Sequence, residues 1–419
     1  MSSQIPNKVI TFGCRLNIYE SQVMQDLMAK EGLGNTILIN TCAVTAEAER
    51  QALQSIRKAK RENPTAKIIV TGCAAQINPE KFAAMPEVDR VLGNQEKMKE
   101  TSFLAEIPQK VLVNDIMSIK ETATHLVKSF DGKTRAFMEI QNGCNHRCTF
   151  CIIPYGRGNS RSVPLGALVD QTRLLVDQGY QEIILTGVDI TAYGEDLPGT
   201  PTLGKMIRRL LTNVPQLKRL RLSSLDPVEV DEDLFQAFVD FPQLVPHVHI
   251  SLQAGDDLIL KRMKRRHLRQ DIINFCDKMR TLRPDMVFGA DVIAGFPTET
   301  EDQFQNTYDL LKDQKISYLH VFPYSPRPGT PAARMPQVEK ATIKNRAAQL
   351  RALGKENLHH LFQQLQGQVC EILIERDHTG RTEHFAPVKP DQTLEPGSLA
   401  KVEIIGIDGN FLCGKVLST

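Results

Sequence analysis

The chain has 419 residues, 41% of them hydrophobic and 24% charged, with a formal net charge of +2. That length predicts two or three cores rather than one, and the near-balance excludes a global field for polyanions, so any basic footprint has to be local. The opening MSSQIPNKVITFGC has no basic stretch followed by an apolar core, and no run reaches bilayer-spanning length, so a cytoplasmic protein with no membrane partner is expected.

Residues 8–115 alternate strand-like and helix-like segments, which predicts a parallel sheet covered on its faces. Three strand candidates end alike: residues 9–12 run into Gly13-Cys14, residues 36–40 into Thr41-Cys42, and residues 67–71 into Gly72-Cys73. In a parallel sheet such ends share the edge where open α/β sheets place ligands. The glycines permit the tight backbone a ligand loop needs. Each cysteine alone reads as a buried core residue; their shared placement predicts three thiolates on one cluster with an open corner. Thr45 is placed to cap the helix AEAERQALQSIRKAKR, with Glu47 in its first turn. Only residues 32–35 separate the first helix from the strand at Ile37; the family resemblance carried by the motifs below implies a longer link, so a strand of this sheet is expected to be missing.

The segment QNGCNHRCTFCIIPYGRGNSRS follows the apolar run 137–140 and sets Cys144, Cys148 and Cys151 three and then two residues apart. Soft sulfur at that separation suits zinc or an iron–sulfur cluster. No second CxxC or HxxxH stands where a zinc ribbon keeps its fourth ligand, and three cysteines on four irons leave one iron open. Among nine cysteines, Cys276, Cys370 and Cys413 stand apart as core residues.

From 135 to 333, strands are expected near 136–140, 181–186, 218–223, 246–252, 286–293 and 317–323, with helices between them. Six units fall short of the eight that close a barrel, so an open partial barrel follows, with function at the C-terminal strand ends. Ser223, Gln253 and Asp291 end the third, fourth and fifth strands and face a cofactor or substrate by position; helix capping is the plain alternative for each.

Charge clusters locally. Arg57, Lys58, Lys60 and Arg61 lie on the first long helix, and Lys261, Arg262, Lys264, Arg265, Arg266, His267 and Arg269 form a denser group, with Lys264, Arg265 and Arg266 candidates to grip phosphate. Arg327 sits in the rigid loop YSPRPGTP as a further substrate contact. After a helical linker at 336–365, short alternating strands (VCEILIE, RTEHFAPV, AKVEIIGI, FLCGKVL) predict a small antiparallel β-barrel. Acids outnumber bases there, so RNA contact would rest on a few residues such as Arg381 and Phe385, or the unit would brace the larger barrel.

The spacing of Cys144, Cys148 and Cys151, with Phe150 before the last, resembles the signature of the radical S-adenosylmethionine superfamily. The resemblance implies an open iron that binds S-adenosylmethionine and cleaves it reductively to a 5′-deoxyadenosyl radical. It also implies that Thr186, Gly187 and Asp189 stand where the superfamily uses a Gly-Gly-Glu turn for the cofactor's amino group, in degenerate form. The phrases GCRLNIYES, NTCAVTAEAERQ, VTGCAAQ, GCNHRCTFCIIPYGRGNSRS, LTGVDITAYG, RLSSLDP, SLQAGDDLILKRMKRR, DVIAGFPTET and VFPYSPRPGTPAA, in this order, resemble the methylthiotransferase family. GCRLN and CIIPYGRGNSRS look most like its MtaB-type branch, which modifies N6-threonylcarbamoyladenosine beside the tRNA anticodon. The resemblance implies two 4Fe-4S clusters, one on Cys144, Cys148 and Cys151 for the radical and one on Cys14, Cys42 and Cys73 for sulfur. It implies also that a second S-adenosylmethionine gives the methyl group. The implied partners are tRNA, a sulfur donor and an electron donor such as a flavodoxin or ferredoxin; a ribosomal protein side chain, an isopentenyl-type adenosine, or a non-catalytic RNA-binding role are the alternatives. The expected domains are residues 6–115, the radical barrel with its linker over 130–366, and a TRAM-like barrel over 367–419.

Overall fold

The structure, a computed structural model, describes residues 7–104, 108–122, 125–130 and 132–418; the ends of the first and last expected domains, residues 6 and 419, lie outside them. Near the N-terminus the strands Lys8–Thr11, Thr36–Thr41, Lys67–Gly72, Arg90–Leu92 and Val111–Leu112 pair in parallel in sequence order. Side chains alternate across this sheet. Ile37, Ile39, Ile68 and Val70 pack on Ile56, Ala59 and Phe82, while Leu38 and Ile69 face Tyr19, Met24 and Met28 in a core that continues into the next unit. The helix Ala46–Glu62 buries only Ala52, Ile56 and Ala59, one narrow stripe. Thr45 accepts the Ala48 amide at 3.1 Å, with Glu47 in the first turn.

As the short link implies, no strand stands between the helix Arg15–Lys30 and the strand Thr36–Thr41, and Lys8–Thr11 forms one edge of the sheet. Gly32, at φ 62°, ends the helix Arg15–Lys30 with the Leu33 amide donating to the Met28 carbonyl at 3.1 Å, and the chain enters the next strand directly.

Six parallel strands follow: Ala136–Glu139, Glu182–Thr186, Arg219–Leu222, His247–Gln253, Val287–Ala294 and Tyr318–Pro323. They form two three-stranded ribbons joined by the bridges Leu220 to Leu244 and Leu225 to Ile250, and among the described residues no pairing joins the first strand to the last. The helix Arg15–Lys30 packs against the first of these strands, so the N-terminal unit lies beside the opening.

The last segment forms a closed barrel of Val369–Ile374, Gly380–Thr382, Pro387–Pro390, Leu399–Asp408 and Phe411–Ser418. Its pairs are antiparallel except Pro387–Pro390 with Phe411–Ser418. The stretch RTEHFAPV, expected as one strand, breaks at Phe385, whose φ of 71° turns the chain. That break seats the Phe385 ring under the N-terminal ends of the larger barrel's strands. The guanidiniums of Arg135, Arg221 and Arg381 lie 5.2, 5.0 and 4.9 Å from it, and His247 and Tyr318 close the ring of contacts. Arg219 donates to the Glu371 carbonyl at 2.8 Å, Arg221 to the Glu383 carbonyl at 3.0 Å, and Arg135 pairs with Glu375 at 2.7 Å. The small barrel is thus the floor of the large one.

His247 makes this floor acid-sensitive. Burial, with Arg221 and His249 nearby, holds its imidazole neutral well below the ordinary range, and both ring nitrogens lack partners. The unfolded chain takes up a proton near pH 6.5 and the folded chain does not, so this residue's contribution is lost as pH falls below that value, by about 1.4 kcal/mol per pH unit. Denaturant midpoints are expected to fall less steeply between about pH 7 and about pH 5 in His247→Gln than in the parent chain.

Candidate metal centres and substrate cavity

The first cysteine triad is built by two glycines that no other residue can replace. Gly13 and Gly72 have φ of 97° and 96°. A Cβ at 13 would lie 2.8 Å from Cys42 Sγ, and one at 72 would lie 2.2 Å from the Thr41 carbonyl oxygen. The three loops are tied together: Asn17 donates to the Phe12 and Thr41 carbonyls at 2.6 and 3.2 Å, and Thr41 Oγ1 donates to the Thr71 carbonyl at 2.6 Å. Cys42 and Cys73 are buried and Cys14 is exposed at the rim, with no disulfide among them. Cys14, Cys42 and Cys73 lie within electrostatic reach of one another, and burial pushes the Cys42 thiol up to about 12.

Cys144, Cys148 and Cys151 share a loop pinned at both sides. The Thr149 amide donates to the Met263 carbonyl at 3.0 Å, Thr149 Oγ1 donates to the Arg262 carbonyl at 2.7 Å, and Thr149's own carbonyl accepts the Ala332 amide at 2.9 Å. Phe150 anchors the loop by an edge contact with Phe296, ring centres 6.4 Å apart. Arg265 Nη1 stands 3.7 Å from Cys148 Sγ. Cationic N–H groups beside sulfur in both triads suit thiolates on a metal, which is the chemistry an iron–sulfur cluster brings.

One residue joins the two triads. Arg157 lies six positions after Cys151, is 2% exposed, and its Nε donates to Cys73 Sγ at 3.1 Å. Its terminal nitrogens bond Glu20 and Asn17, and Lys97, 0% exposed, meets the same Glu20 carboxylate at 2.6 Å. Two buried cations therefore share Glu20, which they hold below the usual carboxylate range although burial pulls the other way. The Asn94 amide donates to the Gly156 carbonyl, and a Cβ at 156 would lie 3.2 Å from Cys73 Cβ. Sequence reading missed Arg157, Glu20, Lys97 and Asn94, because their relation crosses more than 60 residues of chain.

The strand-end candidates fall into two levels. Gln141, buried, accepts the amides of Val188 and Asp189 at 3.0 and 2.9 Å and donates to the Gly143 carbonyl at 2.7 Å, so it ties the turn after Thr186 and Gly187 to the cysteine loop. Asp189 reaches His146 at 3.0 Å and stands 3.7 Å from Cys144 Sγ. Ser223 and Gln253 sit half-buried at the rim, Gln253 with a left-handed φ of 68°. Asp291 lies deeper, where its Oδ1 meets His249 Nε2 at 3.0 Å and His320 Nδ1 at 3.2 Å. These two hydrogen bonds outweigh burial and hold Asp291 well below the usual carboxylate range.

The dense basic run does not form a phosphate-gripping stripe. Arg265 and Arg266 bond Asp226 at 3.0 and 2.7 Å, Arg266 also meets Glu229, and His267 stands 3.6 Å from Asp226. Arg262 donates to Thr298 at 2.8 Å and Arg269 to the Gly255 carbonyl at 3.1 Å, while Lys261 and Lys264 are exposed. The acids that consume the run come from another loop, beyond any local charge pattern. Arg327 pairs with Glu49 at 2.9 Å and joins its loop to the N-terminal unit. Arg381 belongs to the Phe385 floor, away from both triads. The structure does not gather Arg327 and Arg381 with the other candidates.

An open six-stranded parallel barrel with three cysteines after its first strand defines a radical S-adenosylmethionine enzyme, and a family model described as the radical SAM superfamily matches residues 138–311. A second model, described as uncharacterized protein family UPF0004, matches residues 7–93. Among curated proteins, the chain is 54% identical over 98% of both chains to a threonylcarbamoyladenosine tRNA methylthiotransferase of Rickettsia prowazekii. It is 36% identical to one of Aquifex aeolicus, over 94% of this chain and 98% of that one. A radical S-adenosylmethionine methyltransferase structure from Kitasatospora setae aligns with a TM-score of 0.55 at 14% identity, over 79% of this chain and 77% of that chain, which shows likeness of fold. The chain belongs to the radical SAM methylthiotransferase family. It is a transferase whose cofactors are two 4Fe-4S clusters and S-adenosylmethionine.

Proposed function

We propose that the chain places a methylthio group on C2 of N6-threonylcarbamoyladenosine in tRNA. The observation that carries this is the 54% identity, over 98% of both chains, to a relative that bears that substrate in its name. When bound, the two clusters and S-adenosylmethionine supply the radical, the sulfur and the methyl group that an unactivated aromatic carbon requires. Cys144, Cys148 and Cys151 hold one cluster and Cys14, Cys42 and Cys73 the other. Gln141 and Asp189 shape the wall beside the first, and Gly187, Ser223 and Gln253, with Thr186 buried behind them, line the rim where S-adenosylmethionine and the nucleotide meet. Phe150 keeps the loop seated through Phe296. Lys264, exposed near the cysteine loop, and the exposed Lys261 are the basic residues of that run left for phosphate. A sulfur donor and a one-electron donor of the flavodoxin or ferredoxin class complete the cycle. No helix among the described residues is long and apolar enough to cross a membrane.

Mass spectrometry of tRNA nucleosides from a strain lacking the gene tests the reading. The expected outcome is loss of the 2-methylthio form with accumulation of N6-threonylcarbamoyladenosine; an unchanged nucleoside profile rejects it.

A further inference from the structure

Arg15 is a cation without an anion. It follows Cys14 and opens the helix that lies along the first barrel strand, and among the described residues it has no hydrogen-bond or ion-pair partner. Its electrostatic neighbours are residues of the large barrel: Arg221, Arg135, Glu182 and Asp291. The two acids are already committed. Glu182 pairs with Arg221 at 2.7 Å, and Asp291 accepts from His249 and His320. Arg15 is half-buried rather than sealed, so its head lines a space that solvent enters.

The strands around Asp291 present a polar wall, buried at His249 and open at His320. His249, Asp291 and His320 sit on three adjacent strands with the imidazole centres 4.6 Å apart. Gly289 makes the recess for them, since a Cβ there would lie 2.5 Å from His249 Nδ1. Ser224 Oγ stands 3.5 Å from the second Asp291 oxygen, and the His320 side chain, on the edge strand, is 59% exposed. An apolar substituent pushed into this space would strip water from Arg15 and the imidazoles and return nothing.

We propose that Arg15 and the His249–Asp291–His320 wall form the receptor for the amino-acid substituent of the modified adenosine, with Arg15 pairing its carboxylate. This rests on the substrate reading above. Threonine joined through its amine to a carbamoyl group keeps a free carboxylate and a hydroxyl. The first needs a cation, the second the hydrogen-bonding edge that His320 and Asp291 present. A dimethylallyl substituent, as in the tRNA product named for a 32% identical relative from Roseobacter denitrificans, has neither group. The receptor thus separates the two substrates by charge, because the wrong group strips water from the cation and leaves it unpaired.

The test uses the full reconstituted chain with three anticodon stem-loops: one carrying N6-threonylcarbamoyladenosine, one its threonine carboxamide, and one N6-dimethylallyladenosine. The parent chain is expected to show a KM lower for the carboxylate than for the carboxamide by roughly ten- to a hundredfold, the worth of a hydrogen bond to a charged group. In Arg15→Gln, KM for the carboxylate rises by the same factor and the preference disappears. Arg15 has no partner to orphan, so this variant keeps its fold. His320→Ala, at an exposed position, raises KM for the carboxylate roughly two- to tenfold. Equal KM effects on carboxylate and carboxamide, a raised KM for S-adenosylmethionine, or lost iron with unchanged KM would each overturn the proposal, the last two by assigning Arg15 to the cofactor or the metal. If the parent chain modifies only the dimethylallyl stem-loop, or none, the substrate reading itself fails, a result distinct from a parent preference that Arg15→Gln leaves intact.

Discussion

Cys42→Ala is expected to keep forming 5′-deoxyadenosine from S-adenosylmethionine while its methylthiolated product falls below detection, a loss of at least about a thousandfold. The opposite substitution, Cys148→Ala, is expected to abolish both products. Each variant should hold about half the parent's iron, as the proposed assignment of one cluster to each triad requires. The reasoning is spatial. Cys42 meets Gly13 and Cys14 at the sheet edge, whereas Cys148 lies with Arg265 at the mouth of the barrel. Removing one thiolate breaks one centre and leaves the other's loop anchors in place. Iron analysis with chromatography of the two products checks this; a Cys42→Ala chain that still thiolates would remove the sulfur role from the first triad.

Arg157→Met carries the second large effect. Arg157 and Lys97 share the Glu20 carboxylate with almost no solvent, and breaking such a buried group typically costs about 3–5 kcal/mol. The denaturant midpoint should drop accordingly, with partial recovery in Arg157→Lys, which restores the charge but not the fork that reaches Glu20 and Cys73 together. A second readout separates stability from tuning. In a Cys148→Ala background only the first triad carries a cluster, and losing the cationic N–H at 3.1 Å from Cys73 Sγ should shift its midpoint potential to a more negative value. An unchanged potential in redox titration followed by electron paramagnetic resonance would leave Arg157 a purely structural residue.

The chain states its sulfur chemistry openly and its charge chemistry hardly at all. Cysteines at the ends of three strands announce themselves through one repeated local pattern, and the barrel strands through runs of apolar residues; the six observed strands lie within the expected ranges or one residue beyond. Arg90–Leu92 and Val111–Leu112 are too short to carry a period, and went unseen. Charged residues depend on partners that only folding supplies. The run at 261–269 reads as a phosphate grip until Asp226 and Glu229 fold over it. Arg327 and Arg381 read as substrate contacts until Glu49 and Phe385 claim them. Arg15, bracketed by a cysteine and a helix, looks ordinary in the chain and stands out only because no acid among the described residues pairs with it.

Gly156 has a consequence for how this enzyme can vary. Its bare α-carbon lets the short helix Ile153–Arg157 rest against the helix Cys73–Ile77, where one added methyl would already crowd Cys73. The spacing between this helix, which follows the Cys144–Cys151 loop, and Cys73 is therefore set by a hydrogen at that position. Alanine there should act as a spacer a few tenths of an ångström thick between this helix and Cys73, and larger residues as progressively thicker shims.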